Sequence, residues 1–331
     1  MVKYVIKRLL LSVLILFSLS LILYVLVRLM PTDFIENNVI ASLGSAANGV
    51  SIQERVNEMR AYYGLDGTIL EGYWNWLTQF LCGDFGKSWK YANAPVEQVI
   101  FENMGISFGI AFVSLILQLA IAIPLGIKCA CNQYGKLDYF ATVLTMIGIS
   151  FPTFFLGGIL IKVFAVDLGW FPVGGIELST NANASELESF LLLLKSLVLP
   201  MFLLTVLSIG SWLRYTRTNT LEVLNADYIR TARAKGLSEN SVVYKHVFRN
   251  TLIPLVTLLA GTLPSLFGGA MITETVFNLP GIGNTAYNAM IAGDIPFIMA
   301  YNMFIAVLTI IGILLTDIMY AVVDPRVKLG D

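Results

Sequence analysis

The sequence predicts an all-α integral membrane protein with six transmembrane helices, and three observations carry that reading. Hydrophobic residues fill 56% of the 331 positions and charged ones only 13%, with a mean hydropathy of +0.75; a water-soluble domain carries about a quarter charged residues. Six uncharged runs, 9–27, 104–127, 139–161, 196–213, 250–273 and 295–316, each reach the roughly 18 residues that a spanning helix needs. The charges between these runs are sorted by sign. Segments 1–8, 128–138, 214–249 and 324–331 hold 14 Lys/Arg against 6 Asp/Glu, whereas 31–102, 162–195 and 274–294 hold 6 against 15. Positive charge gathers on the cytoplasmic side of a membrane, so both termini and the basic segment 214–249 are expected in the cytoplasm.

The first run exceeds the roughly 7–15 residues of a signal-peptide core, and Arg28-Leu29-Met30-Pro31 follows it in place of a small-residue cleavage site. It therefore reads as a retained helix. Together with the long segment after it, it forms an N-terminal part, 1–103, whose extracytoplasmic domain lies between the first and second helices. In that domain Ile52, Val56, Met59 and Tyr63 show helical spacing, with Gly64 as a stop. Tyr73, Trp74, Trp76 and Phe80 are expected against the membrane surface or the neighbouring spans. The remainder, 104–331, reads as a five-helix core holding the cytoplasmic loop 214–250. Pro124, Pro152, Pro200, Pro254 and Pro264 fall in or at the ends of runs, so kinked helices are expected. Gly105 and Gly109 match a pattern for close helix packing, a weak signal in an apolar run.

Composition also excludes chemistry. Three cysteines (Cys82, Cys129, Cys131) give no disulfide framework, and Cys129-Ala130-Cys131 reads as small core residues. A single histidine, His246, argues against a multi-histidine metal centre. Gly86-Lys87-Ser88 invites a phosphate-loop reading, but Leu81 stands where that loop needs glycine, so a turn is expected.

The segment "ADYIRTARAKGLSENSVVYKHVFRN" (226–250) is basic yet built to fold. Asp227 reads as an N-cap for a short helix that Gly236 ends, and Ser238 as the cap of a second helix running into the next span. Arg233 and Lys235 sit in the last turn, opposite the negative end of the helix dipole. Ile229, Ala232 and Gly236 share one side, giving a small flat face flanked by Arg230 and Arg233, the form of a docking surface. A loop that merely holds lipid headgroups would explain the charge but not two capped helices.

This cassette resembles the signature loop of the permeases of ATP-binding-cassette importers of the oligopeptide/dipeptide/nickel class. The motifs "CGDFGKSWKYANAPV" (82–96), "GWFPVGG" (169–175), "ETVFNLPGIG" (274–283), "GDIPF" (293–297) and "DIMYAVVDPRV" (317–327) follow in that family's order. Arg230-Thr231-Ala232 stands where the wider superfamily has Glu-Ala-Ala, as is usual in the peptide class. The resemblance implies a type I importer permease fold in a bacterial cytoplasmic membrane. It implies a peptide-translocating subunit paired with a homologous permease as a heterodimer, above two ATPase subunits and below an extracytoplasmic peptide-binding protein. The chain would be no enzyme and bind no cofactor or nucleic acid, ATP and magnesium being held by the ATPases. The helix 227–235 would be the coupling helix, with Asp227, Tyr228, Arg230, Ala232, Arg233, Lys235, Gly236 and Leu237 forming the ATPase contact. In that role Ala232 and Gly236 would allow close approach, the cations would face acidic rims, and Tyr228 would anchor the helix to its own spans.

In "NLPGIG" Pro280 fixes φ, and Gly281 and Gly283 are expected to adopt backbone closed to other residues. The resemblance makes Glu274, Pro280, Gly281 and Gly283 an outer gate turn. Glu274 and Asp294 read either as solvated loop residues or as contacts for an external binding protein. The spans hold few strong polar groups (Gln118, Thr142, Thr145, Asn302, Thr309), which suits varied peptides better than a metal ion. A nickel or other small-solute permease of the same family is the nearest alternative. An ion-coupled secondary transporter predicts intramembrane carboxylates or inverted repeats, and neither is evident. A structural subunit of a respiratory-type complex would leave the cassette unexplained.

Overall fold

The structure, a computed structural model, describes residues 2–29, 49–62, 67–176 and 185–323. The expected Gly64 stop and the Asp324-Pro325-Arg326 end of the last motif lie outside these residues. In chain order the helices are α1 (Val2–Arg28), α2 (Gly49–Tyr62), α3 (Ile69–Leu81), α4 (Val96–Cys131), α5 (Lys136–Ser150), α6 (Thr153–Leu160, continuing as a π-helix over Ile161–Asp167), α7 (Glu186–Leu224) and α8 (Asp227–Ala234). Then follow α9 (Glu239–Ser241, continuing as a π-helix over Val242–Val247), α10 (Phe248–Gly261), α11 (Leu263–Phe267), α12 (Met271–Val276), α13 (Ile282–Ala292) and α14 (Ile295–Val323).

Helices α1, α4, α7 and α14 are long and apolar enough to cross a membrane unbroken. The other two expected spans are bent pairs, so by length and composition the described residues hold up to six spans if each pair counts as one. Between α5 and α6 the chain turns by 100°. Phe151 is extended there, with ψ 134°, because the ring of Pro152 disfavours helix in the residue before it. This is a break and not the kink that proline alone suggested. The second pair bends by 45° near Pro264. Pro124, Pro200 and Pro254 instead lie inside continuous helices. Rows of exposed leucine, isoleucine and phenylalanine along α1, α4 and α5 suit contact with lipid.

The chain divides into two compact units, one of residues 1–103 with 285–310 and one of 104–284 with 311–331. In the first, α3 starts with a reciprocal cap. The Thr68 hydroxyl accepts from the Glu71 N–H while Glu71 takes hydrogen bonds from Thr68, which holds the Glu71 carboxyl below its ordinary pKa. Tyr73 and Trp76 of α3 pack on Tyr24 of α1, and the Tyr73 hydroxyl meets Ser20 Oγ at 2.7 Å. Trp74 points outward. In the Gly86-Lys87-Ser88 turn, Ser88 N–H bonds to the Ala94 carbonyl, and the Ser88 hydroxyl donates to the buried Asp294 carboxylate. Asp294 also caps α14, accepting from Phe297 N–H at 3.2 Å, and takes Lys90 N–H at 3.1 Å. It is thus a buried structural group and neither of the solvated or binding-protein contacts expected of it.

The second unit is built on α4 and α7. Leu115, Ala122 and Cys129 of α4 share a core with Trp212 and Leu213 of α7 and Leu255 of α10. Cys129 is fully buried, but Cys131 is exposed, so only one of the two is a core residue. Gly105 and Gly109 have no described residue of this chain within 4 Å of where a Cβ would lie, so the pair does not mark a close helix contact among the described residues.

Candidate functional site

The basic cassette is a folded unit. Ala226, with extended backbone (ψ 146°), takes the N-cap position of α8, and Asp227 becomes its first helical residue, where its carboxylate faces the positive helix end. The expected Asp227 cap is therefore shifted by one. The C-terminus closes as anticipated. Gly236 has φ +79°, its N–H bonds to the Arg233 carbonyl at 2.9 Å, and Leu237 N–H reaches back to Ala232 at 3.4 Å. This is the paired bond pattern of a left-handed helix stop. Ser238 then caps α9 by accepting from Ser241 N–H.

The orientation of α8 corrects the expected docking face. Ile229 and Ala232 are buried, in a seam with Val242 and Val247 of the following π-helix and with Val223 and Leu224 of α7. Two of the three residues of the flat side are thus turned onto the chain's own helices, while Gly236 stays exposed. Tyr228, expected as an anchor, is half exposed. Arg233 is engaged within the chain, its guanidinium donating to Glu239 at 2.6 and 3.1 Å. That bond raises the Arg233 pKa. Arg230 lies 3.6 Å from Asp227, an exposed pair worth little energetically. The outward face of α8 and its stop therefore offers Asp227, Tyr228, Arg230, Lys235, Gly236 and Leu237. Nine residues before the cassette in the chain, Arg217 of α7 is paired with the buried Asp138 of α5, an ion pair that the sequence did not reveal.

The turn after α12 is organised around Glu274, only 1% exposed. Its Oε1 accepts from Ala270 N–H at 2.9 Å and its Oε2 from Asn284 N–H at 3.0 Å. Ser107 of α4 accepts from Ile282 N–H at 2.8 Å, and Asn284 donates its side-chain amide to the Leu279 carbonyl at 2.9 Å. Glu274 is thus neither a solvated loop residue nor an exposed contact. The reason for glycine also differs from the expected one. Gly281 and Gly283 do not have positive φ. A Cβ on Gly281 would collide with the Glu274 carboxylate and lie 2.6 Å from Ser107 Oγ, and one on Gly283 would lie 2.7 Å from Met271 N. Glycine is required there by close approach. Pro280 is exposed on the rim of this arrangement. A buried carboxyl group that accepts from two backbone donors, inside walls that admit no side chain, gives a stiff joint between α12 and α13.

Comparison with known proteins places this geometry. A family model described as "Binding-protein-dependent transport system inner membrane component" matches residues 122–329, and its N-terminal companion, "Binding-prot-dependent transport system membrane comp, N-term", matches 1–122. Among curated relatives, the oligopeptide transport system permease protein AppB of Bacillus subtilis is 38% identical, over 99% of this chain and 100% of that protein. A putative peptide permease of Brucella suis is 36% identical over 99% of both chains. The dipeptide transport system permease protein DppB of Lactococcus lactis is 32% identical over 99% of this chain and all of that one. Among solved structures, an inward-facing form of the MetNI methionine ABC transporter aligns with TM-score 0.52 and 18% identity, covering 69% of this chain and 97% of that one, a likeness of fold. With the two models together matching residues 1–329 and permeases aligned over 99% of this chain, the chain belongs to the family of inner membrane components of binding-protein-dependent transport systems.

Proposed function

We propose that this permease is one of two homologous membrane subunits of an ATP-driven importer that passes peptides, delivered by an extracytoplasmic binding protein, across the inner membrane. Both termini and the cassette would face the cytoplasm, where two separate ATPase subunits bind ATP and magnesium. This chain itself would bind neither, nor any nucleic acid. The peptide assignment rests on relatives named as oligopeptide, dipeptide and peptide permeases over their whole length. Coupling through α8 rests on one observation, a capped eight-residue helix whose inner side is locked into its own chain while its outer side is polar and exposed. Such an element can transmit a load because it fits its partner as a rigid body, and a difference in that fit between states is what moves an equilibrium.

The outer turn would belong to the gate, with Glu274, Pro280, Gly281 and Gly283 holding α12 against α13. The proposal is tested by co-purification with the ATPase and by uptake of labelled peptides into vesicles. A Tyr228→Ala, Arg230→Glu, Lys235→Glu triple variant should reach the membrane at normal level, lose the ATPase and stop ATP-driven uptake. Retention of both by this variant would sink the coupling role. Uptake of nickel in place of peptides would favour the small-solute reading of the same family.

A further inference from the structure

A cavity of about 550 Å³ lies between α4, α7, α10 and α11, within the ~300–1,000 Å³ of ordinary small-molecule sites. None of its lining residues is charged, and its polar groups are Gln118, Ser208, Ser211, Tyr215, Thr262 and Ser265 together with the buried Ser114. Ser208, Ser211 and Tyr215 continue a stripe from Leu204 along one face of α7, at spacings of four, three and four. Their hydroxyls are set apart from the buried ones in that helix. Thr205, Thr216 and Thr220 each donate to the carbonyl four residues back, as does Ser196. Ser208, Ser211 and Tyr215 make no hydrogen bond to any described residue. Gln118 spends its amide N–H on the Leu204 carbonyl at 3.2 Å, which leaves its own carbonyl oxygen as an acceptor.

In an apolar span, hydroxyls such as those of Ser208 and Ser211, without a partner among the described residues, are satisfied by water or a polar ligand, and Tyr215 extends the stripe to the basic end of the helix. We infer that the Ser208–Ser211–Tyr215 stripe is the wall along which the solute moves, and that it meets the backbone amides of an extended peptide. A hydroxyl both donates and accepts, so it can serve peptide N–H and C=O groups in any register. The missing charge leaves no fixed ion partner for a terminus or for a charged side chain, so no sequence is held fast. This assignment of a peptide rests on the function proposed above; that of a passage does not.

The test uses the whole transporter in cells, with Cys82, Cys129 and Cys131 replaced by serine. Ser208→Cys and Ser211→Cys should react with a charged, water-soluble thiol reagent, and penta-alanine with its binding protein should slow that reaction. Val143→Cys, on the exposed apolar side of α5, is the lipid-facing control and should not react. Ser211→Trp should lower uptake by at least about tenfold, with membrane level and ATPase retention unchanged, as blocking a polar path requires. Ser208→Asp should reduce uptake of acidic peptides relative to basic ones. Reaction of Ser211→Cys only with lipid-soluble reagents, or normal uptake by Ser211→Trp, overturns the inference. If the transporter carries another solute, the peptide assignment fails, yet water access at Ser211 and the Ser211→Trp block still decide whether this wall is the passage.

Discussion

Arg217 grips Asp138 with two prongs, Nε donating to Oδ1 at 2.6 Å and a terminal nitrogen to Oδ2 at 2.7 Å. Asp138 also accepts the Tyr134 N–H at 2.9 Å, and its side chain is only 5% exposed. The pair joins α5 to α7 just before the basic cassette begins. Removing only the cation leaves a buried carboxylate without its partner. Arg217→Ala is therefore expected to cost about 1–3 kcal/mol, and the Asp138→Ala, Arg217→Ala double variant less. Thermal unfolding of the purified complex checks this, and a double variant less stable than Arg217→Ala contradicts it.

Ala232 tests the inward orientation of α8. Ala232→Arg forces a cation into the seam formed with Ile229, Val242 and Val247. The expected outcome is a misfolded cassette and a lower membrane level, because burying an unpaired charge costs several kcal/mol. A fully stable protein that has merely lost its ATPase would mean that Ala232 faces outward after all.

Glu274→Gln keeps the shape of the buried side chain but turns one acceptor into a donor facing a backbone N–H. One of the Ala270 and Asn284 donors is orphaned, at about 1–3 kcal/mol. Gly281→Ala should cost about as much through overpacking. Both are read as a drop in Tm accompanied by slower uptake. An unchanged Tm in both variants would refute the joint described around this carboxylate.

Thr68→Ala gives a pH signature. Hydrogen bonds from Thr68 hold the Glu71 carboxyl below its ordinary pKa, so this contribution is present above the unfolded pKa and lost as pH falls through the lowered folded value. The stability gap between parent and variant should therefore narrow on acidification, as measured by denaturation at several pH values. A gap that widens instead would reverse the sign of the linkage.

Much of this was legible in the sequence because it depends on local or compositional rules. The uncharged runs follow from the thickness of a bilayer, and the stop at Gly236 from the need for positive φ. What escaped depends on partners distant in the chain. Small residues at 229, 232 and 236 define a face, but a face meant for a partner protein and one meant for the chain's own helix have the same spacing. Glu274 and Asp294 looked like loop carboxylates because spacing does not show how a loop folds back: Glu274 is wrapped by the backbone N–H groups of Ala270 and Asn284, and Asp294 meets Ser88, far away in the chain. Pro152 announced an interruption, but not its 100° angle, since α5 and α6 both pack on α7, which lies far on in the chain. The hydroxyl stripe of α7 was hidden for a similar reason, since a sequence does not show that the Thr205 hydroxyl turns back onto its own helix while that of Ser208 does not.

In the coupling role proposed for α8, the seam beneath it sets how force would enter the membrane domain. Ile229 and Ala232 bear directly on Val242 and Val247, in the π-helical stretch that runs without interruption into α10. A push on the outer side of α8 therefore travels as compression through close-packed hydrocarbon, while the Arg233–Glu239 bond braces the hairpin like a strut. The connecting loop need not pull on anything. Enlarging the gap at this seam, as Val247→Ala would, should leave both machines assembled but let the piston slip.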